Sequence, residues 1–233
     1  MLEELKLAVS EAADVENNVR CLLITGAGRG FCAGANLSAS RPAAGSDPTP
    51  VRQGLDETYN PLLLMLKNIK IPIVTAVNGP AAGIGMSIAL MGDMILASRS
   101  AFFLQAFRRI GLVPDGGSTY ILPRMIGRAR AMELSLLGER LPAETALEWG
   151  LINRVYDDNE LMPEAMKLAR ELAAGPTLSL SLIRRAYWES PDNTYEEQLH
   201  LEAILQAEAG ASADAREGSQ AFREKRPARF TGK

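Results

Sequence analysis

Apolar positions along the chain alternate between two periodicities. Leu2, Leu5, Ala8, Val9 and Ala12 fall on one helical face, so residues 2–14 are expected to form an amphipathic helix. Residues 19–25 are mostly apolar and end at Gly26, which predicts a buried strand. Leu55, Tyr59, Leu62, Leu63, Leu66 and Ile69 mark a second helix that stops at Pro72, and Ile73 to Val77 is the next buried strand. Gly83 to Met91 is apolar on every side and predicts a buried helix; Met94 to Ala97 is a third strand and Ala101–Phe103 a short extended piece. Helices follow at 118–126, 129–137 and 143–149, the last two closed by Gly138 and Gly150, and residues 152–156 read as a strand.

The last third reads as helical. Leu161, Ala165, Leu168, Ala169 and Leu172 make one stripe ending at Gly175-Pro176, Leu178–Trp188 another, and Thr194 with Glu197 forms a capping box opening a long helix. The tail from Ala221 to Lys233 is basic and expected to be mostly irregular, and Ser38–Pro50 has the composition of a mobile loop. Strands alternating with helices, followed by a helical end, predict an α/β core over 1–175 and a helical C-terminal region with its tail over 176–233.

Composition narrows the function classes. With 47% apolar and 23% charged residues, the 233-residue chain has the makeup of a globular protein, not a disordered one. Twenty-five Lys and Arg against 28 Asp and Glu give a net charge of −3, which argues against bulk binding to nucleic acid or a membrane surface. The start, Met1-Leu2-Glu3-Glu4, is acidic and amphipathic rather than a secretory leader, and no apolar run reaches the roughly 20 residues of a bilayer span, so the cytoplasm is the expected compartment. His200 is the single histidine and is expected on a helix surface. With only Cys21 and Cys32 besides, no metal site is expected.

Gly26-Ala27-Gly28-Arg29-Gly30 follows a strand, but its third glycine falls two residues after the second where a dinucleotide fingerprint needs three, and no helix opens there, so it is expected to be a tight turn. The ordered set of segments is more specific: GRGFCAGANL at 28–37, with its glycine-rich start, IVTAVNGPAAGIGMSIAL at 73–90, FRRIGLVPDGG at 107–117, AMELSLLGERLPAETALEWGLINRV at 131–155 and FREKR at 222–226. This set resembles the enoyl-CoA hydratase/isomerase family, or crotonase superfamily, across essentially the whole chain. It is most similar to the enoyl-CoA isomerase branch that includes the epoxide isomerases of phenylacetate degradation. The resemblance implies a spiral of ββα units, a homotrimer or hexamer, and an acyl-CoA thioester as substrate, with coenzyme A part of the substrate and no further cofactor. It also implies an N-terminal hairpin ahead of the first helix, which this sequence does not show.

The resemblance further implies an oxyanion hole made by the backbone N–H groups of Ala35 and Ile84, and adenine held by backbone around Cys32, Ala33 and Ala35. Phe222 and Lys225, often from a neighbouring subunit, would cover the adenine, and Arg29 would stand near the phosphates. Several positions depart from the family pattern. Ile84 replaces a common Gly and narrows the pocket, Asn36 stands where Asp is usual, and Ser38 replaces a Lys. Ser87 and Phe107 together occupy the positions of the two glutamates with which hydratases activate water. Asp115 is then the carboxylate left in the motif region. It reads either as the acid/base of an isomerase, since one carboxylate suffices to move one proton, or as an N-cap for the following helix. Alternatives within the superfamily are a hydratase with weak hydration, aryl-CoA dehalogenase-like chemistry with Asp115 as nucleophile, and a non-catalytic acyl-CoA-binding protein.

Overall fold

The computed structural model describes residues 1–36 and 45–233; part of the expected loop, including Ser38, lies outside them. In chain order the elements are α1 (Leu2–Ala13), β1 (Leu22–Thr25), α2 (Thr49–Gly54), α3 (Asn60–Asn68), β2 (Ile73–Val77), β3 (Ala81–Ala82), α4 (Ile84–Ala89), β4 (Met94–Ser98), β5 (Phe102–Leu104), α5 (Ser118–Leu137), β6 (Arg140–Pro142), α6 (Ala143–Glu148), β7 (Arg154–Tyr156), α7 (Leu161–Ala173), α8 (Thr177–Glu189), α9 (Tyr195–Gly210) and α10 (Ala213–Glu224). A π-helical turn, Leu55–Tyr59, joins α2 to α3, so that helix begins earlier than its apolar stripe suggests.

β1, β2, β4 and β7 form a parallel sheet in that order, in register through Leu22 with Ile73, Val74 with Met94 and Leu96 with Arg154. β3 runs parallel to β5, and β5 antiparallel to β6, in a second sheet. Every residue of β2 is buried because both faces of the larger sheet are covered. Val74, Ala76 and Leu96 pack against Leu161, Ala165 and Leu168 of α7. Ile73 and Val77 face the main core with Leu62, Leu66, Met86 and Ile88. The expected strands at 19–25 and 152–156 shorten to β1 and β7: Val19 lies on the exposed surface, and Leu151 and Ile152 are buried in the turn before β7.

Gly127, with φ 77° and ψ 158°, breaks α5 into the two expected helices. The C-terminal region departs from expectation. α9 ends at Gly210, and Ser212 caps a separate α10 that carries Phe222 on a helix rather than in an irregular tail. Beyond α10 the chain folds back. The buried Asp214 carboxylate accepts from the Thr231 and Gly232 N–H groups, each at 2.7 Å, and Glu217 accepts from Arg229 N–H at 2.8 Å.

Candidate active site

Three backbone segments meet where the two sheets adjoin. Asn78, in the turn after β2, clamps the glycine-rich loop: its Oδ1 accepts from Gly26 N–H at 3.0 Å and its Nδ2 donates to Gly28 O at 2.9 Å. The chain then pairs through Cys32 with Ala81. Cys32 N–H donates to Pro80 O at 3.0 Å, and Ala82 N–H donates to Cys32 O at 2.9 Å. This brings segment 32–35 against the start of α4. The approach is so close that a Cβ on Gly85 would lie 2.2 Å from Cys32 O, so only glycine fits there. Ala35 and Ile84 sit within a few residues of these contacts. Among the described residues neither of their N–H groups donates a hydrogen bond, as expected for the first turn of a helix and an irregular extended segment.

The third segment is Pro114-Asp115-Gly116-Gly117, which leads into α5. Gly116 has φ +61°, and a Cβ on it would lie 2.5 Å from Ile84 Cδ1 and 2.8 Å from Ser87 Cβ and Oγ. The turn therefore rests directly on α4. Ser87 is fully buried and fastens it: Ser118 Oγ donates to Asp115 O at 2.7 Å and pairs with Ser87 Oγ at 2.8 Å, which itself lies 3.2 Å from the same carbonyl. Phe107, buried, places its ring beside Gly83, where a Cβ would lie 3.7 Å from the ring. Neither Ser87 nor Phe107 supplies a carboxylate; they hold backbone in place.

The Asp115 side chain is not a cap. α5 has Gly117 at its N-cap position with no side-chain hydrogen bond, and Ser118 N–H is taken by the Asp115 main-chain carbonyl at 3.2 Å. Asp115 Oδ1 is buried with no partner among the described residues. Burial in this apolar turn holds its carboxyl above the usual carboxylate range. The capping interpretation is thereby overturned: the backbone does the capping and the carboxylate is left over.

A cleft of about 400 Å³ opens at Gly116 and Gly117 and runs between α3 and α5 toward α8, lined by Leu63, Met91, Tyr120, Ile121 and Trp188 among others. Tyr59, at the end of the π-helical turn, has its phenol pushed up by burial first, and then by the nearby Asp115 and Cys32. Sequence reasoning singled out neither Tyr59 as a site residue nor Asn78 as a clamp. Tyr59 shares its helical stripe with plain core residues, and Asn78 sits in an ordinary Asn-Gly-Pro turn.

The coenzyme-binding candidates are placed less tightly together. Arg29 and Ala33 are exposed and Cys32 is half-buried in the strand-like segment that abuts α4. Phe222 is 85% exposed on α10, and Lys225 ends that helix with φ 53°; within the chain α10 packs on α9 and the folded-back tail. His200 is exposed on α9, as expected. Among the described residues no helix is long and apolar enough to cross a membrane.

The chain is 50% identical over 219 residues to the 1,2-epoxyphenylacetyl-CoA isomerase of Escherichia coli strain K12, covering 94% of this chain and 83% of that protein. It is 33% identical over 231 residues to the trans-2-decenoyl-[acyl-carrier-protein] isomerase of Streptococcus mutans, covering 99% and 88%. The crystal structure of an enoyl-CoA hydratase/isomerase from Cupriavidus metallidurans CH34 superposes with a TM-score of 0.91 at 33% identity, over 99% of this chain and 85% of that one. The enoyl-CoA hydratase/isomerase family matches residues 1–233. With the shared fold and the converging backbone segments, these likenesses establish that the chain belongs to the enoyl-CoA hydratase/isomerase family.

Proposed function

We propose that this enzyme isomerises an enoyl-CoA or related acyl-CoA thioester, using Asp115 as its single acid/base. The observation that carries the reading is the Asp115 carboxylate: half-buried, free of any capping role, and carried on the turn whose next residue, Gly116, rests against α4 and lines the cleft. The Ala35 and Ile84 N–H groups would hold the thioester oxygen. Each such donor is worth roughly 3 kcal/mol to an enolate. Asp115 removes a proton from the carbon beside the double bond. The C–H pair moves into the conjugated enolate, and the same carboxylic acid returns the proton at the other end of the allylic system, shifting the double bond. A raised carboxyl pKa makes the base stronger and its conjugate acid available for the return step.

The coenzyme enters as part of the substrate. Its adenine would lie on the backbone of Cys32, Ala33 and Ala35 near Arg29, covered by Phe222 and Lys225 of a neighbouring subunit in a trimer or hexamer. The exposure of Phe222 supports that presentation. The cytoplasm is the compartment that fits such a substrate.

The test is incubation with 2-enoyl- and 3-enoyl-CoA thioesters in D2O. Deuterium exchange and double-bond migration should far outpace hydration. Asp115→Asn should slow both by about 100- to 10,000-fold while CoA binding persists. Fast hydration, or full turnover by the variant, would show that this is not a one-carboxylate isomerase.

A further inference from the structure

Beyond the cleft, on the far side of Lys67 and Trp188, lies a second cavity of about 320 Å³, whose wall sets Leu178 and Leu182 among charged side chains, Lys70, Arg185, Glu189 and Glu208. Lys67 and Trp188 line both spaces. Their side chains meet, with Lys67 Nζ 5.6 Å from the centroid of the indole. The two cavities are therefore neighbours that share this cation–aromatic pair as a common wall, one partner from α3 and one from α8.

The pair is held by an anchor one helical turn away. Arg184, 6% exposed, precedes Trp188 by four residues on α8. Its guanidinium donates to Leu66 O at 3.1 Å, to Ile69 O, and to Asp93 Oδ2 at 2.6 Å. The two carbonyls flank Lys67 on the α3 side. One buried side chain thus ties the helix bearing Trp188 to the helix bearing Lys67, and the separation between them is not free to drift.

We propose that the Lys67–Trp188 pair is a partition that limits the length of the acyl group, with Arg184 as its positioning residue; this rests on the acyl-CoA reading above. An acyl chain entering from the Gly116-Gly117 end passes Leu63, Met91 and Ile121, then meets the indole. A short or ring-shaped acyl group ends there. A long straight chain must displace Trp188 or bend back toward solvent. Removing the indole joins the two cavities, and Leu178 and Leu182 become available to a longer chain.

The test reads binding and not turnover, so it is separable from the assignment of Asp115. Saturated hexanoyl-, octanoyl- and dodecanoyl-CoA are titrated into the full-length protein by calorimetry. The intact protein should bind hexanoyl-CoA at least about tenfold more tightly than dodecanoyl-CoA, the scale on which an apolar pocket rejects excess methylenes. In Trp188→Ala that ratio should fall to about threefold or less, through a gain for dodecanoyl-CoA, and Trp188→Phe should restore most of it. Trp188→Leu serves the same comparison if the alanine variant does not fold. Arg184→Lys should broaden length preference without changing free CoA affinity, which a merely structural defect would also lower. Equal binding of all three thioesters by the intact protein, or an unchanged ratio in the Trp188 variants, would overturn the partition. No binding of any thioester, with the fold intact, would overturn the acyl-CoA reading and the partition with it.

Discussion

At the scale of single residues, the site is organised by what Asp115 lacks. Its side chain has no capping bond and Oδ1 no partner among the described residues, so the ionised form is a burden on the folded state. Burial raises the folded-state pKa above the unfolded value. The sign follows: the folded state is favoured fully below the ordinary value of about 3.9, and that advantage is lost as pH rises through the raised folded value. Asp115→Asn, which never ionises, should therefore melt at or above the wild-type temperature at pH 7, and the gap should close as pH falls toward 4. A lower melting temperature at pH 7 would mean the carboxylate makes a stabilising contact after all. Gly116 is the complementary case. Alanine there must adopt φ near +61° and push its Cβ into Ile84 and Ser87. Gly116→Ala should cost about 1–3 kcal/mol in urea unfolding and reduce turnover by moving the adjacent carboxylate. An unchanged stability would show that the turn can relax without loss.

At the scale of elements, α8 is joined to α3 and the larger sheet by one buried guanidinium. Asp93, which receives it, also accepts from Ile73 N–H at 2.7 Å, so the anchor reaches β2 directly. Arg184→Met keeps much of the apolar stem but leaves two carbonyls and a carboxylate without their donor. The expected loss is about 3–5 kcal/mol, the range for removing one partner of a buried pair. Chemical denaturation with and without a bound acyl-CoA measures it. A loss under about 1 kcal/mol would mean that apolar packing of α8 suffices.

For the whole molecule, many of the exposed apolar residues lie on the C-terminal helices: Ile183, Tyr187, Tyr195, Leu199, Ile204 and Phe222 are all at least 48% exposed. Exposed apolar side chains on these helices are what an assembly interface would cover. Sedimentation is expected to give a trimer or hexamer, and a monomer at micromolar concentration would refute the assembly. If Phe222 covers a neighbour's adenine, Phe222→Ala should weaken CoA binding by about tenfold, the equivalent of 1–2 kcal/mol, without changing the melting temperature.

The order of the longer elements is legible in the sequence, since each apolar period identifies its own element: the continuous run of β2, the all-apolar α4 and the capping box of α9 are local signals, whereas the short α2, β3 and β6 and the separate α10 carry none strong enough to be read. Through the family resemblance the sequence also pointed to Ala35, Ile84 and Asp115, because the motifs that surround them are contiguous. It left the role of Asp115 open between base and cap, because both roles ask for an Asp just before a helix. The tertiary structure decided against the cap: Gly116 seats the turn on Ile84 and Ser87, Ser118 takes the Asp115 carbonyl beside Ser87, and Oδ1 is left without a partner among the described residues. Only the fold could show Asn78 gripping a loop about 50 residues away, or Lys67 meeting Trp188 from another helix. Such contacts depend on how helices and sheets pack, and no periodicity within one segment carries that information.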